Sequence, residues 1–171
     1  MDGSALEAVI QTGNCESESH QADQMRWCQV GTGRIFRANL HIPPHETVKD
    51  RTDIELLFDK LPERIDLEID HETQSLYWTD RGEITYGNTI NVASVGACKK
   101  PSSAIILQEK PLGYQILAHG LHEPIGLKLD MTNRHIYAAD LGGAIYRFNL
   151  DGSEKKKLYE HPSAFPGITL F

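Results

Sequence analysis

The sequence predicts an all-β fold built from repeated four-stranded sheets. Two observations carry this prediction. A pattern of apolar and aromatic residues occurs twice in the sequence, 60 residues apart. Within each copy apolar and polar residues alternate, which is the period of a strand with one buried face. The 171 residues, of which 40% are hydrophobic, are enough for a domain with a sizeable core.

The repeat is clearest in two segments that begin at Leu61 and Leu121. The first reads LPERIDLEID, followed by LYWTDRG from Leu76, and the second reads LHEPIGLKLD, followed by IYAADLG from Ile136. In each copy, an alternating run predicts one strand, a polar turn reverses the chain, and an aromatic residue marks the next strand. The predicted strands lie near Ile65–Asp70, Leu76–Thr79, Ile125–Asp130 and His135–Ala139.

A third type of strand also recurs. The eight residues GRIFRANL from Gly33 and GAIYRFNL from Gly143 are identical at five positions, and the second copy predicts a strand over Ala144–Leu150. It is followed by Asp151-Gly152-Ser153, a typical hairpin turn, and by a fourth strand near Lys156–Glu160. Four strands joined by short turns form a meander, which is one blade of a β-propeller.

These repeats predict a single partial propeller domain over residues 1–171. Residues 1–60 are expected to hold incomplete blades, because too few residues precede the strand at Gly33 to supply two inner strands. Residues 61–120 form a blade with an insertion, and residues 121–160 form another blade. Residues 161–171 are expected to supply the inner strand of the next or closing blade.

Open sheet edges should remain at both ends of such a partial ring. Met1-Asp2-Gly3-Ser4 resembles the turn at Asp151, so the sequence is expected to begin between the third and fourth strands of a blade. Exposed edges invite pairing with another chain. We therefore expect self-association or a truncated chain.

The Tyr77-Trp78-Thr79-Asp80 segment resembles the signature of the YWTD-repeat family, the class B repeats of lipoprotein receptors. Its partner 60 residues later, Tyr137-Ala138-Ala139-Asp140, is a degenerate version. This family forms six-bladed propellers, so the resemblance implies an incomplete six-bladed β-propeller of about half a ring. The sequence is closer still to a group of intracellular fungal propellers with degenerate repeats, and the resemblance covers nearly the whole chain.

Composition argues against several classes of partner. The formal charge of −7 and the pI near 5.6 disfavour nucleic acid, and the chain has no membrane-length apolar run. No signal-peptide pattern or Asn-x-Ser/Thr site is present, which predicts a cytoplasmic location.

Cys15, Cys28 and Cys98 have no short C-x-x-C spacing, so we expect free thiols.

No cofactor or metal is predicted. The sequence lacks a Walker loop, a dinucleotide fingerprint, a His-Glu-x-x-His motif and a Gly-x-Ser-x-Gly motif. None of the eight histidines stands at the spacing of paired ligands. Asp80 and Asp140 resemble the aspartate of the YWTD motif, and that resemblance implies that they form structural hydrogen bonds between blades.

Blade topology predicts where a site should lie. The loop that leads into the first strand of a blade and the loop after its second strand lie on the same face of the ring. Trp78 is a further candidate, because a large amphipathic ring could line a cavity below that face. Arg81 and Glu83 could also have no role in a site and form only a surface ion pair, which contributes little to stability. The residues predicted to cluster on the face are Glu63, Arg64, Arg81, Glu83, Tyr86, His122, Glu123 and Leu141.

Two functions fit these features. Resemblance to the fungal group implies a cofactor-independent cyclase, for example a hetero-Diels–Alderase that joins a terpene to a quinone methide. Arg81 and Tyr86 would then be catalytic hydrogen-bond donors, acting on apolar small-molecule substrates held by the other residues of the cluster. The alternative is a non-enzymatic module that binds a protein partner. A deep apolar pocket would favour the enzyme, and a broad polar face would favour the protein-binding module.

Overall fold

The computed structural model describes residues 33–82, 87–96 and 113–170, and the backbone alone of residues 17–21 and 24–29. No helix occurs in these ranges, and every regular element is a strand. The strands are β1 (Ser17–Gln21), β2 (Gln24–Gln29), β3 (Arg34–Asn39), β4 (Glu55–Phe58), β5 (Glu63–Asp70), β6 (Ser75–Arg81), β7 (Thr89–Ser94), β8 (Gln115–Ala118), β9 (Pro124–Asp130), β10 (His135–Asp140), β11 (Ala144–Asn149) and β12 (Lys156–Glu160).

The strands form three four-stranded antiparallel sheets, each a meander in chain order: β1 to β4, β5 to β8 and β9 to β12. The strands predicted from alternation are therefore confirmed, with ends that differ by at most two residues. The chain divides into two compact units, residues 1–61 and 62–171. We call them unit 1 and unit 2. The fold is that of an incomplete β-propeller, with each sheet as a blade.

The described residues of unit 1 form one four-stranded sheet, β1 to β4. β1 reads SESHQ and has no alternating apolar residues, so no pattern marks it as a strand. It nevertheless pairs with β2 along its whole length. In the loop after β3, the buried Arg51 donates two hydrogen bonds to the Asp53 carboxylate and one to the carbonyl of Asn39.

The two blades of unit 2 pack face to face around one apolar core. That core contains Tyr77 and Ile90 from the first blade and Leu127, Ile136 and Phe148 from the second. Most of these side chains come from alternate positions on their strands, so the period-two pattern of the sequence directly marks the buried face. This core joins two successive repeats.

Polar contacts also join the inner strands of the two blades. Asp66 on β5 accepts a hydrogen bond of 2.8 Å from the backbone N–H of Leu127 on β9. Glu68, two residues after Asp66, forms an ion pair with Lys128, the residue that follows Leu127. Burial is the largest influence on both acids and raises the pKa of Asp66 and of Glu68.

The C-terminal segment differs from its prediction. Residues 161–170 contain no strand, although the sequence predicts an inner strand near Gly167–Leu170. The segment still runs beside β9, because a Cβ on Gly126 would lie 2.9 Å from the backbone N of Ile168. A strand requires a hydrogen-bonded neighbour, and the described sheets give this segment none.

Gly143 fixes the path of the same segment at the other end. Its φ of 84° and the carbonyl of His161, which would lie 1.8 Å from an added Cβ, leave room only for glycine. The His161 N–H donates to the carbonyl of Gly143.

The ranges that the structure describes hold no helix with the length and apolar character needed to span a bilayer.

Candidate functional site

The candidate site lies in unit 2, where the chain leads into β5 and β9 and leaves β6 and β10. We call this surface the loop face and define it by Glu63, Arg81, His122, Glu123 and Leu141. Blade topology predicted that these residues would share a face. Contacts across it connect both blades: Arg81 at the end of β6 lies near the carboxylates of Glu63 and Glu123.

Arg81 and Glu63 form a two-pronged ion pair. The two residues are direct cross-strand partners on β5 and β6, so their side chains leave the sheet side by side. Arg81 Nε and Nη2 each donate a hydrogen bond of 2.8 Å to a different oxygen of Glu63. The hydrogen bonds from Arg81 lower the pKa of Glu63 below its ordinary value. Glu83, the partner of Arg81 suggested by the sequence, lies outside the described residues.

Glu123 presents a second carboxylate to the same guanidinium. Its oxygen lies 3.9 Å from Arg81 Nη1, which is longer than a hydrogen bond. The residue has a positive φ of 54°, a conformation that costs energy for any residue with a Cβ. Its carbonyl accepts a hydrogen bond from the N–H of Leu141. Glu123 is therefore fixed by its backbone, with its side chain 45% exposed.

His122 lies beside Glu123 with an exposed side chain. Its backbone N–H donates to the buried Asp140 carboxylate at 3.1 Å, and Asp140 also accepts a hydrogen bond from Ala144 N–H. The Gly142 N–H donates to the carbonyl of His122. Asp140 thus holds the loop before β9 in place and has a structural role.

Asp80 has a similar structural role in the preceding blade. It accepts hydrogen bonds from Thr89 N–H and Oγ1 at 3.0 and 2.8 Å and from Asn91 Nδ2 at 2.8 Å. These bonds, and those of Asp140, lie within one blade, so the expectation that they bridge blades is wrong for the contacts observed. Asp66 and Glu68 are carboxylates that do bridge the blades, and the sequence analysis missed both. The repeat did not single out Asp66, because the equivalent position in the second copy is a glycine, Gly126.

Two predicted substrate-binding residues lie inside the blade. Arg64 and Trp78 are both 0% exposed. Arg64 stands opposite Asp80 in the register of β5 and β6, and the Trp78 ring packs against Tyr114 with ring centroids 5.1 Å apart. Neither side chain is exposed on the loop face.

The remaining predicted residues, Glu83 and Tyr86, lie outside the described residues. Leu141 lies on the loop face and is partly buried. Among the residues that the structure describes, no three His, Cys, Asp or Glu side chains come together in a group that could hold a metal ion.

Burial is the largest influence on the pKa of Asp80 and raises it from 3.8 to about 6. The native state therefore binds this proton more tightly than the unfolded state does. Between pH 4 and pH 6 the unfolded chain loses the proton first, so the contribution of Asp80 to the free energy of unfolding falls as the pH rises.

The Asp80→Asn variant tests this effect. It should remove this pH dependence, so that its free energy of unfolding relative to the wild type improves by about 3 kcal/mol between pH 4 and pH 7. Urea unfolding at several pH values measures the difference. A constant difference would show that Asp80 titrates in the native state as it does in the unfolded chain.

Comparison with known proteins places this architecture among fungal relatives. The chain is 41% identical over 191 aligned residues to the 3-hydroxyacyl-CoA dehydrogenase-like protein LAM1 of Cochliobolus heterostrophus, with 99% of this chain and 40% of the relative covered. It is 33% identical to a protein of Pyricularia oryzae named low-density lipoprotein receptor-related protein 1, with 99% of this chain and 59% of the relative covered. The chain thus spans about half the length of these relatives. No family model matches it.

Solved structures show the same fold. The nidogen/laminin complex has a chain that aligns with a TM-score of 0.62 at 19% identity, over 85% of this chain and 47% of that one. An auxiliary nutrient binding protein from Bacteroides thetaiotaomicron aligns with a TM-score of 0.59 at 12% identity, over 89% of this chain and 32% of that one. Together with the Tyr77–Asp80 motif, the comparisons support a β-propeller of the YWTD type.

Proposed function

We propose that the loop face of unit 2 binds a protein partner, so that the chain acts as the recognition part of a propeller rather than as an enzyme. The described part of this face is polar and charged. It presents the side chains of Glu63, Arg81, His122 and Glu123, while Trp78 and Arg64 are buried beneath it. Polar, solvent-accessible groups of this kind are typical of the surfaces through which proteins associate reversibly.

The observation that carries the proposal is the environment of Arg81. Both oxygens of Glu63 occupy two of its nitrogens, and Glu123 lies beside a third. A guanidinium that is already neutralised by a carboxylate is a weak electrostatic catalyst for a substrate carbonyl, since that carbonyl must compete with a full negative charge. The same arrangement gives a fixed pattern of charge, which suits recognition of a complementary surface.

The relatives add support from their names. One fungal relative is named after a lipoprotein receptor-related protein, and a solved structure with the same fold is a complex between nidogen and laminin. Those descriptions belong to those proteins. They show that propellers of this architecture are found in a protein–protein complex.

Affinity capture from a lysate of the producing organism tests the proposal. The full chain is compared with the Glu63→Arg and Glu123→Arg variants, and with Asp59→Arg as a matched control. Asp59 is an exposed acid of unit 1 that pairs with Arg34. We expect one or more proteins to be retained by the wild type and the control and lost by both loop-face variants. Retention of the same proteins by all four chains would refute the proposal.

The second candidate is the cofactor-independent cyclase, for example of the hetero-Diels–Alderase type, in fungal natural-product biosynthesis. One observation favours it: 39% of the Arg81 side chain is exposed, so an edge of the guanidinium can still meet a substrate oxygen. The name of the Cochliobolus relative is also that of an enzyme-like protein. In this scheme Arg81 and Tyr86 polarise the substrate, and proximity of the two reactants supplies much of the rate.

Replacement of the two proposed donors tests the cyclase. If the donors act on the substrate, Arg81→Ala and Tyr86→Phe should each lower turnover by about ten- to a thousandfold in the complete protein. The melting temperature of Tyr86→Phe should be nearly unchanged. Arg81→Ala should lower the free energy of unfolding by less than about 1 kcal/mol, because exposed ion pairs contribute little to stability. Unchanged turnover in both variants, measured with a reactive quinone methide and a terpene, would exclude these residues from such a mechanism.

A further inference from the structure

The 60-residue repeat allows the two blades of unit 2 to be compared position by position on the loop face. Glu63 and Glu123 are equivalent, and each precedes or begins the inner strand of its blade. Arg81 and Leu141 are equivalent, and each ends or follows the second strand. The acidic residue is thus kept in both blades, while its basic partner is present in only one.

The first blade shows how this position holds a guanidinium. Glu63 and Arg81 are paired across the two strands, and both oxygens of the carboxylate accept hydrogen bonds from the planar fork of Arg81. Such two-point pairs are stronger and more specific than single contacts, because planar donors and planar acceptors match in geometry.

The second blade has leucine where the first blade has arginine, and both Glu123 and Leu141 lie just outside its strands. The Leu141 N–H donates to the Glu123 carbonyl at 3.2 Å, which holds the two residues as neighbours. The leucine side chain ends before the position that a guanidinium would occupy and carries no donor. Among the residues that the structure describes, the Glu123 carboxylate has the 3.9 Å contact with Arg81, whose other nitrogens are engaged by Glu63.

The charges on the face are therefore unbalanced. Arg81 neutralises one carboxylate, so Glu63, Arg81 and Glu123 together carry one net negative charge. That charge is centred on a half-exposed carboxylate, which an incoming cation can reach from solvent. An incoming cation would complete in the second blade the pair that the first blade contains.

We propose that Glu123 is the recognition position for an arginine side chain of the protein partner. The guanidinium pairs with both oxygens of Glu123, and its methylene stem packs on Leu141 in the place of the missing intrachain arginine. This inference rests on the proposed protein-binding function and names the chemistry of that partner. A lysine would bind more weakly, since its ammonium group cannot form the two parallel hydrogen bonds.

The test uses Nα-acetyl-arginine amide as the probe and Nα-acetyl-citrulline amide, its uncharged analogue, as the matched control. Backbone amide shifts of the full chain are followed by NMR during titration. We expect saturable, salt-sensitive shifts at His122, Glu123 and Leu141 with the arginine probe, and none with citrulline. Equal shifts with both compounds would overturn the proposal.

Two variants examine the position itself. Leu141→Arg supplies the missing intrachain cation and should weaken binding of the probe at least about tenfold, and Glu123→Gln should do the same by removing the charge. Leu141→Met, an unbranched and uncharged side chain that keeps the apolar surface, should keep the binding. Undiminished binding in both Leu141→Arg and Glu123→Gln would place the probe elsewhere, and Glu123→Gln decides the matter if Leu141→Arg does not fold.

These results separate the two proposals. If charge reversal abolishes partner capture but the arginine probe does not shift Glu123, the arginine site is wrong and the protein-binding face stands. If the probe binds as expected but capture is unaffected by charge reversal, the loop face is not the partner surface, and the inferred partner is refuted with it.

Discussion

Replacement of Leu127 by alanine is expected to lower the free energy of unfolding by about 2–5 kcal/mol. Leu127 is 0% exposed and lies in the core between the two blades of unit 2. Its loss removes apolar contacts from both blades, and the strands that pack against it, β6, β10 and β11, are each hydrogen-bonded on both sides, so they can collapse only partly into the cavity. Urea unfolding followed by tryptophan fluorescence measures the change.

Leu158→Ala is the matched control for this variant. Leu158 lies on the outer strand β12 and is 44% exposed, so its truncation should cost less than about 0.5 kcal/mol. If the two variants lost similar stability, the core between the blades would not be packed as the structure shows.

Arg64→Met is expected to destabilise the native state by up to about 3 kcal/mol at pH 8, because it removes a cation that favours the ionised form of the buried Asp80. Methionine retains most of the apolar stem, so the loss reports mainly on charge. Without Arg64 the native pKa of Asp80 should rise above its wild-type value of about 6. Asp80 is then protonated in the native state at pH 5, and the loss of stability should be smaller there than at pH 8.

The pH dependence shows whether Arg64 stabilises the ionised form of Asp80 or only fills space inside the blade. Unfolding at pH 5 and pH 8 provides the comparison, with Arg34→Met as the control. Arg34 is exposed and pairs with Asp59, so its replacement should cost less than about 1 kcal/mol at either pH. A loss for Arg64→Met that is the same at both pH values would show that Asp80 does not depend on this arginine.

The strands of unit 2 could be predicted from sequence because their signals are local. Alternation around Ile65 and Ile125, the aromatic residue after each polar turn, and the turn at Asp151-Gly152 all lie within about ten residues of the strand that they specify. Burial of Leu127 follows from the same alternation. The polar β1, SESHQ, has no such signal, since its pairing with β2 depends on partners rather than on its own pattern.

The site could be predicted only as a location. Topology placed Glu63, Arg81 and Glu123 on one face, but their pairing depends on cross-strand register, which the sequence does not state. Arg64 stands next to Glu63 in the sequence and suggested the same exposure. Its burial results from the opposite direction of neighbouring side chains on a strand and from the buried acid across from it, Asp80.

The two contacts between inner strands have a consequence for the dynamics of the chain. The Leu127 amide donates to Asp66, and Glu68 binds Lys128, so each contact joins one repeat to its neighbour rather than closing a single repeat. In a linear array, stability is shared between the intrinsic terms of each repeat and the nearest-neighbour terms of the joints. Hydrogen exchange at the Leu127 amide therefore reports on opening of the joint, whereas the amides that pair β10 with β11 report on opening of one blade.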